Sequence, residues 1–453
     1  MSNITQKIKE YLSGRSGRSQ MVVKNAAGSL AMKFVSMIMG FVQVPIYLSF
    51  LDSSHYGIYL TIASIVAWTH QFDFGLGTGL RYKLTQAIST SDFERSKQLV
   101  STAYISMSVI MLFVLLICTP LFLCLNWNDI LNCDFIGTAE LILCVIMVLA
   151  VFVVQFVMEL IIVVLQADQR SAISSIFKPL ANVLSIAIVL VLRIYYHNSL
   201  VLACLALTIP ILVVLSVANL LLFHKRYKKI APSLKDFKRE CLSDIYSLGI
   251  KYFVSQLSSL IVFSTASFLL THFVAPSEST VYNTAWAYFG LVVSLNTMVL
   301  QPLVAAVTDA YVKNDMLWVK NIFKKINLYS GLLSIIEISL LLLSPFIFKI
   351  WLGERLTIPT ALSVAMTIYF IFNVWVNPYM NFLSGVGKLN VSVYLSIIKI
   401  VVFFPIAIAM IKAWGAVGLI LTIMIVNTLP NLVLGVIQYY LIINNKAKGV
   451  WNK

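Results

Sequence analysis

Long apolar runs separated by short polar segments dominate the chain. Each of twelve runs can hold a membrane-spanning helix, which needs about 20 mostly apolar residues. Helices are expected because backbone groups in lipid must be hydrogen-bonded within the segment, and these runs exceed the length of barrel strands. The predicted spans cover residues 25–50, 56–80, 98–125, 139–166, 172–194, 199–223, 247–273, 280–308, 326–349, 358–383, 390–412 and 415–442.

The distribution of Lys and Arg predicts the orientation of these spans. When the loops are assigned to alternate sides, 27 of the 33 basic residues lie on the side that carries both termini, and 4 lie on the other side. Cytoplasmic loops carry an excess of Lys and Arg. We therefore predict that both termini are cytoplasmic. The same pattern accounts for the net charge of +15 without a nucleic-acid partner.

Composition agrees with an all-α integral membrane protein. Apolar residues make up 60% of the 453 residues and charged residues 11%, whereas a soluble domain carries about a quarter charged residues. The six cysteines form no CxxC pair, so we expect neither a disulfide nor a metal site. No cleavable signal peptide is recognised, and we expect the first span to direct insertion. The loops are short, which leaves no soluble domain for an active site and argues against an enzyme.

Two short matches indicate an internal repeat. Phe34-Val35-Ser36 recurs as Phe253-Val254-Ser255, at an offset of 219, and the segment 165–170 resembles 383–388, at an offset of 218. Parallel repeats of this kind occur in transporters. The prediction is a pair of six-helix bundles with the same orientation. Its segments are a basic tail 1–24, a first bundle 25–223, a basic cytoplasmic linker 224–246, a second bundle 247–442 and a tail 443–453.

Ionisable residues inside spans are the candidates for function, because they are costly in lipid. They are Lys33, Asp73, Glu159, Glu337 and Lys399. One interpretation is structural: the lysines reach the headgroups, Asp73 pairs with Arg81, and the two glutamates hold the bundle together. The other is functional: the cations line a cavity for an anionic head group, and the acids couple ions or balance charge. No ATP-binding loop or metal-binding histidine pair is present.

Several segments resemble a known family. Lys24-Asn25, Pro45-Ile46-Tyr47-Leu48 and Tyr56-Gly57-Ile58-Tyr59 are similar to the opening of polysaccharide-biosynthesis flippases. The run from Phe72 to Arg81 resembles the DxGxGxGxR stretch of Wzx-type O-antigen and exopolysaccharide transporters, and Ser384–Lys388 resembles the small-residue turn before their eleventh span. The resemblance implies the multidrug/oligosaccharidyl-lipid/polysaccharide exporter (MOP) superfamily, with two six-helix bundles forming a V around a central cavity.

The resemblance also implies a substrate. This is an oligosaccharide repeat unit on undecaprenyl diphosphate, moved across the bacterial inner membrane by alternating access. Its partners would be membrane lipids and other polysaccharide-assembly membrane proteins, with no cofactor and coupling to a H⁺ or Na⁺ gradient left open. Lys33 and Lys399 are the first candidates for contact with the diphosphate, and Arg81 and Lys251 are candidates at the cytoplasmic mouth. Asp73, Glu159 and Glu337 are candidates for ion coupling or charge balance.

Two other functions remain open at this stage. The first is an ion-coupled antiporter of cationic drugs from the same superfamily, whose cavity would favour acidic charge. The second is a membrane glycosyltransferase or polymerase, which usually places its chemistry on a sizeable external loop; no such loop is predicted here.

Overall fold

The computed structural model describes residues 17–67, 76–245, 260–388 and 390–452. Two predicted site residues, Asp73 and Lys251, lie outside these ranges. The described residues form helices and turns, with no β-strand among them. This is the expected outcome for apolar segments that must satisfy their own backbone hydrogen bonds in lipid.

Before the predicted linker, the described residues form ten helices. They are α1 (Gly17–Phe50), α2 (Ser53–Ala67), α3 (Leu76–Ser89), α4 (Phe93–Cys124), α5 (Trp127–Leu131), α6 (Thr138–Met158), α7 (Leu160–Ala167), α8 (Ser171–Ser174), α9 (Phe177–Tyr195) and α10 (Leu200–His224). We call residues 17–224 the first half. Glu159 separates α6 from α7 with helical backbone angles, so these two helices run on almost as one.

After the linker, the described residues from 260 onward form six further α-helices. They are α11 (Ala266–Phe273), preceded by a π-helix (Leu260–Ser264), α12 (Pro276–Val312), α13 (Met316–Leu352), α14 (Thr360–Gly385), α15 (Asn390–Ile423) and α16 (Leu429–Ile443). We call residues 260–443 the second half. Helix α15 is broken at Trp414 and Gly415, where Gly415 has φ +56°, and a π-helix (Met424–Thr428) joins it to α16. The break falls at the predicted boundary between the last two spans.

Eight segments of the described residues are long and apolar enough to cross a membrane, so the protein is a multi-pass membrane protein. They are Gly28–Phe50, Phe93–Cys124, Thr138–Ala167, Ser171–Tyr195, Leu200–His224, Met316–Leu352, Thr360–Gly385 and Asn390–Ile443. The last segment contains the break in α15 and covers two predicted spans. The total of twelve spans and the cytoplasmic position of both termini stay predictions.

Equivalent turns occur at matching places in the two halves. Gln169 and Gly387 both have positive φ, +58° and +72°. The amide of the following residue, Arg170 or Lys388, donates to a carbonyl five residues earlier, at 2.8 and 3.0 Å. Their offset of 218 is that of the sequence repeat. The glycine in one turn and glutamine in the other show that the backbone conformation is shared although the residues differ.

The linker packs against the first half over its described part. The side chains of Tyr227, Ile230, Cys241 and Ile245 are buried there. Gly79 in α3 lies so close to the backbone of Ile245 that a Cβ at this position would be 2.0 Å from the Ile245 carbonyl oxygen. The linker is therefore a docked segment rather than a free tether.

Acidic residues anchor this basic linker. Asp244 accepts a hydrogen bond from Arg95 and lies 3.7 Å from Lys83. Asp236 pairs with Lys97 at 2.8 Å. These two carboxylates attach the linker to basic side chains in α3 and at the start of α4.

Candidate functional site

The two halves contact each other at the end of the bundle where α1, α5, α11 and α13 meet. We call it the outer end, after the predicted topology. Apolar residues of both halves form one buried cluster there, with Phe50 and Tyr56 from the first half and Leu270 and Leu352 from the second. The backbones of α2 and α12 approach so closely that a Cβ on Gly57 would lie 1.8 Å from the Pro276 carbonyl oxygen. Only glycine fits this approach.

Hydroxyl groups and backbone carbonyls join α2 to the second half. The hydroxyls of Thr61 and Thr271 are 2.5 Å apart, and both residues are fully buried. Thr61 also donates to the Ser267 carbonyl at 3.3 Å. The Thr280 hydroxyl donates to the Ser53 carbonyl at 2.6 Å. These short polar side chains permit close packing of helices.

Three further hydrogen bonds and one pair of stacked rings extend the contacts of the outer end to α1 and α5. The Trp351 indole N–H donates to the Phe41 carbonyl at 3.0 Å, and the two rings stack with centroids 3.8 Å apart. The Asn132 amide donates to the Val274 carbonyl at 2.9 Å. His272 Nδ1 lies 3.1 Å from the Ile130 carbonyl oxygen, which requires the proton on Nδ1.

A cavity of about 540 Å³ lies inside the first half. Its polar lining comes from three helical stripes: Gln43 and Tyr47 on α1, Gln155 and Glu159 around the end of α6, and Lys178, Asn182 and Ser185 on α9. Within each stripe the residues are three or four apart, so they share a helix face. Tyr56 and Tyr59 of α2 complete one wall.

Glu159 is the acidic group of this cavity. The Gln155 amide donates to its carboxylate at 2.8 Å, and Lys178 is close enough for its charge to act on Glu159. The Tyr47 and Ser185 hydroxyls, 3.0 Å apart, close the far side. The arrangement can hold a proton or a small cation on Glu159, and a ligand with donors and acceptors beside it.

Lys399 is buried in the second half, with 5% of its surface exposed. Its Nζ donates to Oδ1 of the Asn431 side chain at 3.0 Å, and the Asn431 side-chain amide donates to Asn427 Oδ1 at 3.2 Å. Asn427 belongs to the π-helix between α15 and α16, a type of irregularity that is frequent at functional sites. An ammonium group has three donor hydrogens, so a bound anion can share this lysine with Asn431.

Glu337 lies in the middle of α13 and is completely buried. Neither carboxylate oxygen has a hydrogen-bond partner among the described residues. Tyr288 of α12 is near, but its hydroxyl donates to the Leu340 carbonyl at 3.0 Å. A buried charge without a hydrogen-bond partner is costly. Glu337 therefore differs from Glu159, whose carboxylate accepts a hydrogen bond from Gln155.

Two predicted substrate contacts, Lys33 and Arg81, are exposed. Lys33 lies ten residues before Gln43 on α1, about 15 Å along the helix, and it does not line the cavity of the first half. The Arg81 guanidinium lies 3.4 Å from the Gln166 side-chain oxygen. Lys33 and Lys399 therefore have different surroundings, one exposed and the other buried against α16.

Sequence reasoning missed several polar residues of these sites. Lys178 lies within the predicted span 172–194 but is not among the predicted site residues; it is the second residue of α9 and lines the cavity. Gln43, Asn182 and Asn431 are uncharged, so the cost of charge in lipid does not single them out. The signal that finds them is a set of polar residues four apart inside an apolar span, such as Gln155 and Glu159.

Comparisons with known proteins agree with this architecture. Residues 22–310 match the model of a family described as polysaccharide biosynthesis protein. A protein of Yersinia pseudotuberculosis named "Putative O-antigen export protein" is 23% identical over 380 residues, which cover 81% of this chain and 83% of that protein.

Solved structures of transporters share the fold. An inward-facing structure of a multidrug resistance MATE family transporter of the MOP superfamily has a TM-score of 0.73 at 16% identity, covering 93% of this chain and all of that one. An outward-facing structure of such a transporter has a TM-score of 0.64 at 17% identity, covering 96% and 98%. A MOP superfamily transporter from Pyrococcus furiosus scores 0.62 at 16% identity, covering 96% and 98%.

The family match spans more than half of the chain, and the relative named for O-antigen export covers four fifths of it. The chain belongs to the polysaccharide biosynthesis protein family.

Proposed function

We propose that this transporter is a flippase for oligosaccharide repeat units linked to undecaprenyl diphosphate. It would move them from the cytoplasmic to the outer leaflet of the bacterial inner membrane by alternating access. The family match and the relative named for O-antigen export support this proposal. The mechanism requires no covalent chemistry and no cofactor; a H⁺ or Na⁺ gradient would drive it.

The observation that carries the proposal is the position of the contacts between the halves. Hydrogen bonds, ring stacking and the close approach at Gly57 all join the halves at the outer end. Alternating access requires the opposite end to open when one end closes. Under the predicted topology, that opposite end faces the cytoplasm, where a newly made lipid-linked sugar would enter.

Lys399 is our first candidate for holding the diphosphate. A phosphate oxygen would accept one of its remaining ammonium hydrogens while Asn431 keeps the other contact. In surroundings of low dielectric, each fixed positive charge acts more strongly on an anion than it does in water. Lys33, Arg81 and Lys251 would guide the head group toward it from the predicted cytoplasmic side.

Glu159 is our first candidate for ion coupling, with Glu337 and Asp73 as further candidates. Glu159 has a polar cavity around it and a hydrogen bond from Gln155, so it can exchange a proton or a cation without leaving its place. Glu337 lacks such partners among the described residues, so keeping its carboxylate charged inside the protein costs more free energy than it does for Glu159.

Reconstitution tests the transport proposal. Purified protein would be placed in liposomes with an undecaprenyl-diphosphate oligosaccharide, and sugar exposure on the far leaflet followed with and without a pH gradient. We expect Lys399→Gln to reduce transport at least tenfold. The matched control is Lys412→Gln on the same helix, which removes an exposed lysine that lies over the Phe273 ring. Equal transport by both variants would contradict the role of Lys399.

A second variant tests coupling. Glu159→Gln retains an oxygen that accepts from Gln155 but has no ionisable group. We expect transport without a gradient to persist and its acceleration by the gradient to be lost. Glu140→Gln, at the start of α6, serves as the control. Gradient acceleration that survives in Glu159→Gln would assign coupling to another acid.

An antiporter for cationic drugs remains the second candidate function. The cavity beside Glu159 carries Tyr47, Tyr56 and Tyr59, and aromatic rings together with a carboxylate attract organic cations. The same liposomes would be loaded with a fluorescent organic cation. Efflux of this cation driven by the gradient, without movement of the lipid-linked sugar, would replace the flippase proposal.

A further inference from the structure

A second cavity opens at the opposite end of the second half from the outer contacts. It has a volume of about 310 Å³ and lies between the start of α13 and the end of α16. Its lining comprises Lys320, Phe323, Lys324, Asn327, Tyr439, Tyr440, Ile443 and Asn444. None of these residues contributes to the proposed transport or coupling sites.

The lining supplies hydrogen-bond donors and positive charge. Lys320 and Lys324 are four residues apart, so their side chains lie on one face of α13, about 6 Å apart along its axis. Lys320 Nζ donates to the Asn444 side chain at 3.3 Å. Among the described residues, Lys324 has no hydrogen-bond partner. No carboxylate lines the cavity, so an anion would complete it.

Asn327 adds a neutral donor. Its side-chain oxygen accepts from the Tyr379 hydroxyl at 3.3 Å, which orients the amide NH₂ away from that contact. Buried aromatic rings form the floor: Phe323 and Tyr439 stack with centroids 4.2 Å apart. The walls are thus preformed by packing, and only the two lysine side chains have to settle around a ligand.

The position of the cavity points to a lipid rather than a soluble anion. It lies where α13 begins and α16 ends, next to Tyr439 and Tyr440, and paired aromatic residues of this kind are enriched at headgroup level. Below the lysines, toward the middle of the membrane, the same face of α13 exposes Leu328 and Ile335 at 79% and 62%. Acyl chains would lie along this strip.

We propose that this cavity binds the headgroup of an anionic phospholipid. The phosphate would lie between Lys320 and Lys324 with Asn327 as a third donor, and the acyl chains would follow Leu328 and Ile335. Basic pockets between helices on the cytoplasmic side of membrane proteins bind anionic headgroups. This site is separate from the transport path and does not depend on the identity of the transported substrate.

Native mass spectrometry of the full-length protein in detergent tests the site. The protein would be titrated with dioleoyl phosphatidylglycerol and, separately, with dioleoyl phosphatidylcholine. Each lysine should contribute about fivefold to affinity. We expect the double variant Lys320→Gln/Lys324→Gln to retain phosphatidylglycerol about 25-fold more weakly. Binding of phosphatidylcholine should not change.

Lys325→Gln is the matched control, because Lys325 is exposed next to Lys324 but does not line the cavity. An equal loss in this control would mean that surface charge alone attracts the lipid and would overturn the proposal. Unchanged binding in the double variant would overturn it as well.

Two competition arms separate the possible sources of the phosphate. Displacement of the lipid by glycerol phosphate at equal concentration would mean a site for a soluble anion. Preferential binding of undecaprenyl diphosphate at the same two lysines would make the cavity part of the substrate path. Either result would replace the phospholipid assignment, whereas failure of both competitors supports it.

Discussion

Substitution of Gly57 by alanine should shift the protein away from the state in which its outer end is closed. The added Cβ would lie 1.8 Å from the Pro276 carbonyl oxygen, 2.5 Å from its carbon and 3.0 Å from the Thr280 hydroxyl. An ordinary contact is at least 3.4 Å, so the backbones of α2 and α12 must separate by about 1.6 Å. The two closest atoms, the carbonyl oxygen and carbon of Pro276, belong to the backbone of a helix and cannot rotate away as a side chain would.

The cost of this overpacking is about 1–3 kcal/mol. An outer-open state lacks the contact and escapes the penalty. Because 1.4 kcal/mol corresponds to a factor of ten, the ratio of outer-closed to outer-open molecules should fall roughly 5- to 150-fold. Transport should slow whenever return to the outer-closed state limits the cycle.

Disulfide formation between cysteines at positions 61 and 271 measures the population of the outer-closed state. The Thr61 and Thr271 hydroxyl oxygens are 2.5 Å apart, which puts the two side chains within reach of a disulfide. The assay would use a background without the six native cysteines and follow cross-linking after addition of a mild oxidant. We expect rapid cross-linking with Gly57 and slower cross-linking with Gly57→Ala, in proportion to the population of the closed state.

Two glycine variants provide the controls. Gly40→Ala on α1 adds a Cβ that meets nothing within 4 Å, so cross-linking should not change. Gly418→Ala adds a Cβ 1.9 Å from the Met410 carbonyl oxygen, a clash inside the second half, and should lower thermal stability without changing the cross-linking of folded protein. Equal cross-linking rates for folded Gly57→Ala and Gly40→Ala would refute the reasoning.

Three further predictions concern the outer end and the docked linker. Trp351→Phe loses the hydrogen bond to α1 but keeps the stacked ring. Cross-linking between positions 61 and 271 should slow about 2- to 10-fold. An unchanged rate would contradict the contribution of that hydrogen bond. Asp168→Asn weakens the contacts of this carboxylate to Arg170, Arg226 and Tyr227, so the free energy of unfolding should fall by about 1–2 kcal/mol. A thermal melt in detergent checks this, and an unchanged midpoint temperature would contradict it. The hydrogen bond from Lys97 holds the pKa of Asp236 below its ordinary 3.8. The contact is therefore fully present above about pH 3.8, and it is lost as the pH falls through the lower pKa of the folded state. With pepsin as the probe, the linker should be cut at a higher pH in Lys97→Gln than in the wild type.

The apolar pattern predicted the helices well because it reports burial of the backbone in lipid, which is a local property. The break at Trp414 and Gly415 lies between the two predicted spans 390–412 and 415–442. The turns at Gln169 and Gly387 match the sequence repeat for the same reason: a helix end with positive φ is encoded within a few residues. Both features require no knowledge of tertiary contacts.

The candidate sites were less predictable, because they depend on which helix faces meet. The cost of charge in lipid singled out Glu159 and Lys399, and both prove to be partly or fully buried with polar partners. The same rule could not find Asn182 or Asn431, which carry no charge. Gly57 entered only as part of a family-like segment; its close approach to Pro276 joins residues 219 positions apart, which no local pattern reports.

Under the proposed alternating access, the outer contacts form and break in each cycle, and their chemistry suits this. Among the described residues, six hydrogen bonds join the halves there, and four of them end on backbone carbonyls of helix termini or loops. Each contributes only about 0.5–1.5 kcal/mol net, because water replaces the partner when the end opens. The movement of one charge down a membrane potential supplies about 2.3 kcal/mol per 100 mV. Six such bonds contribute roughly 3–9 kcal/mol, and one or two coupled ions at 100 mV supply about 2.3–4.6 kcal/mol, so ion movement offsets the lower part of this range. Buried ion pairs between the halves at this end would make the closure harder to open. In the part of the chain that the structure describes, Asp52 and His55 pair within the turn between α1 and α2 of the first half, and the other ion pairs fasten the linker and the turn after α7.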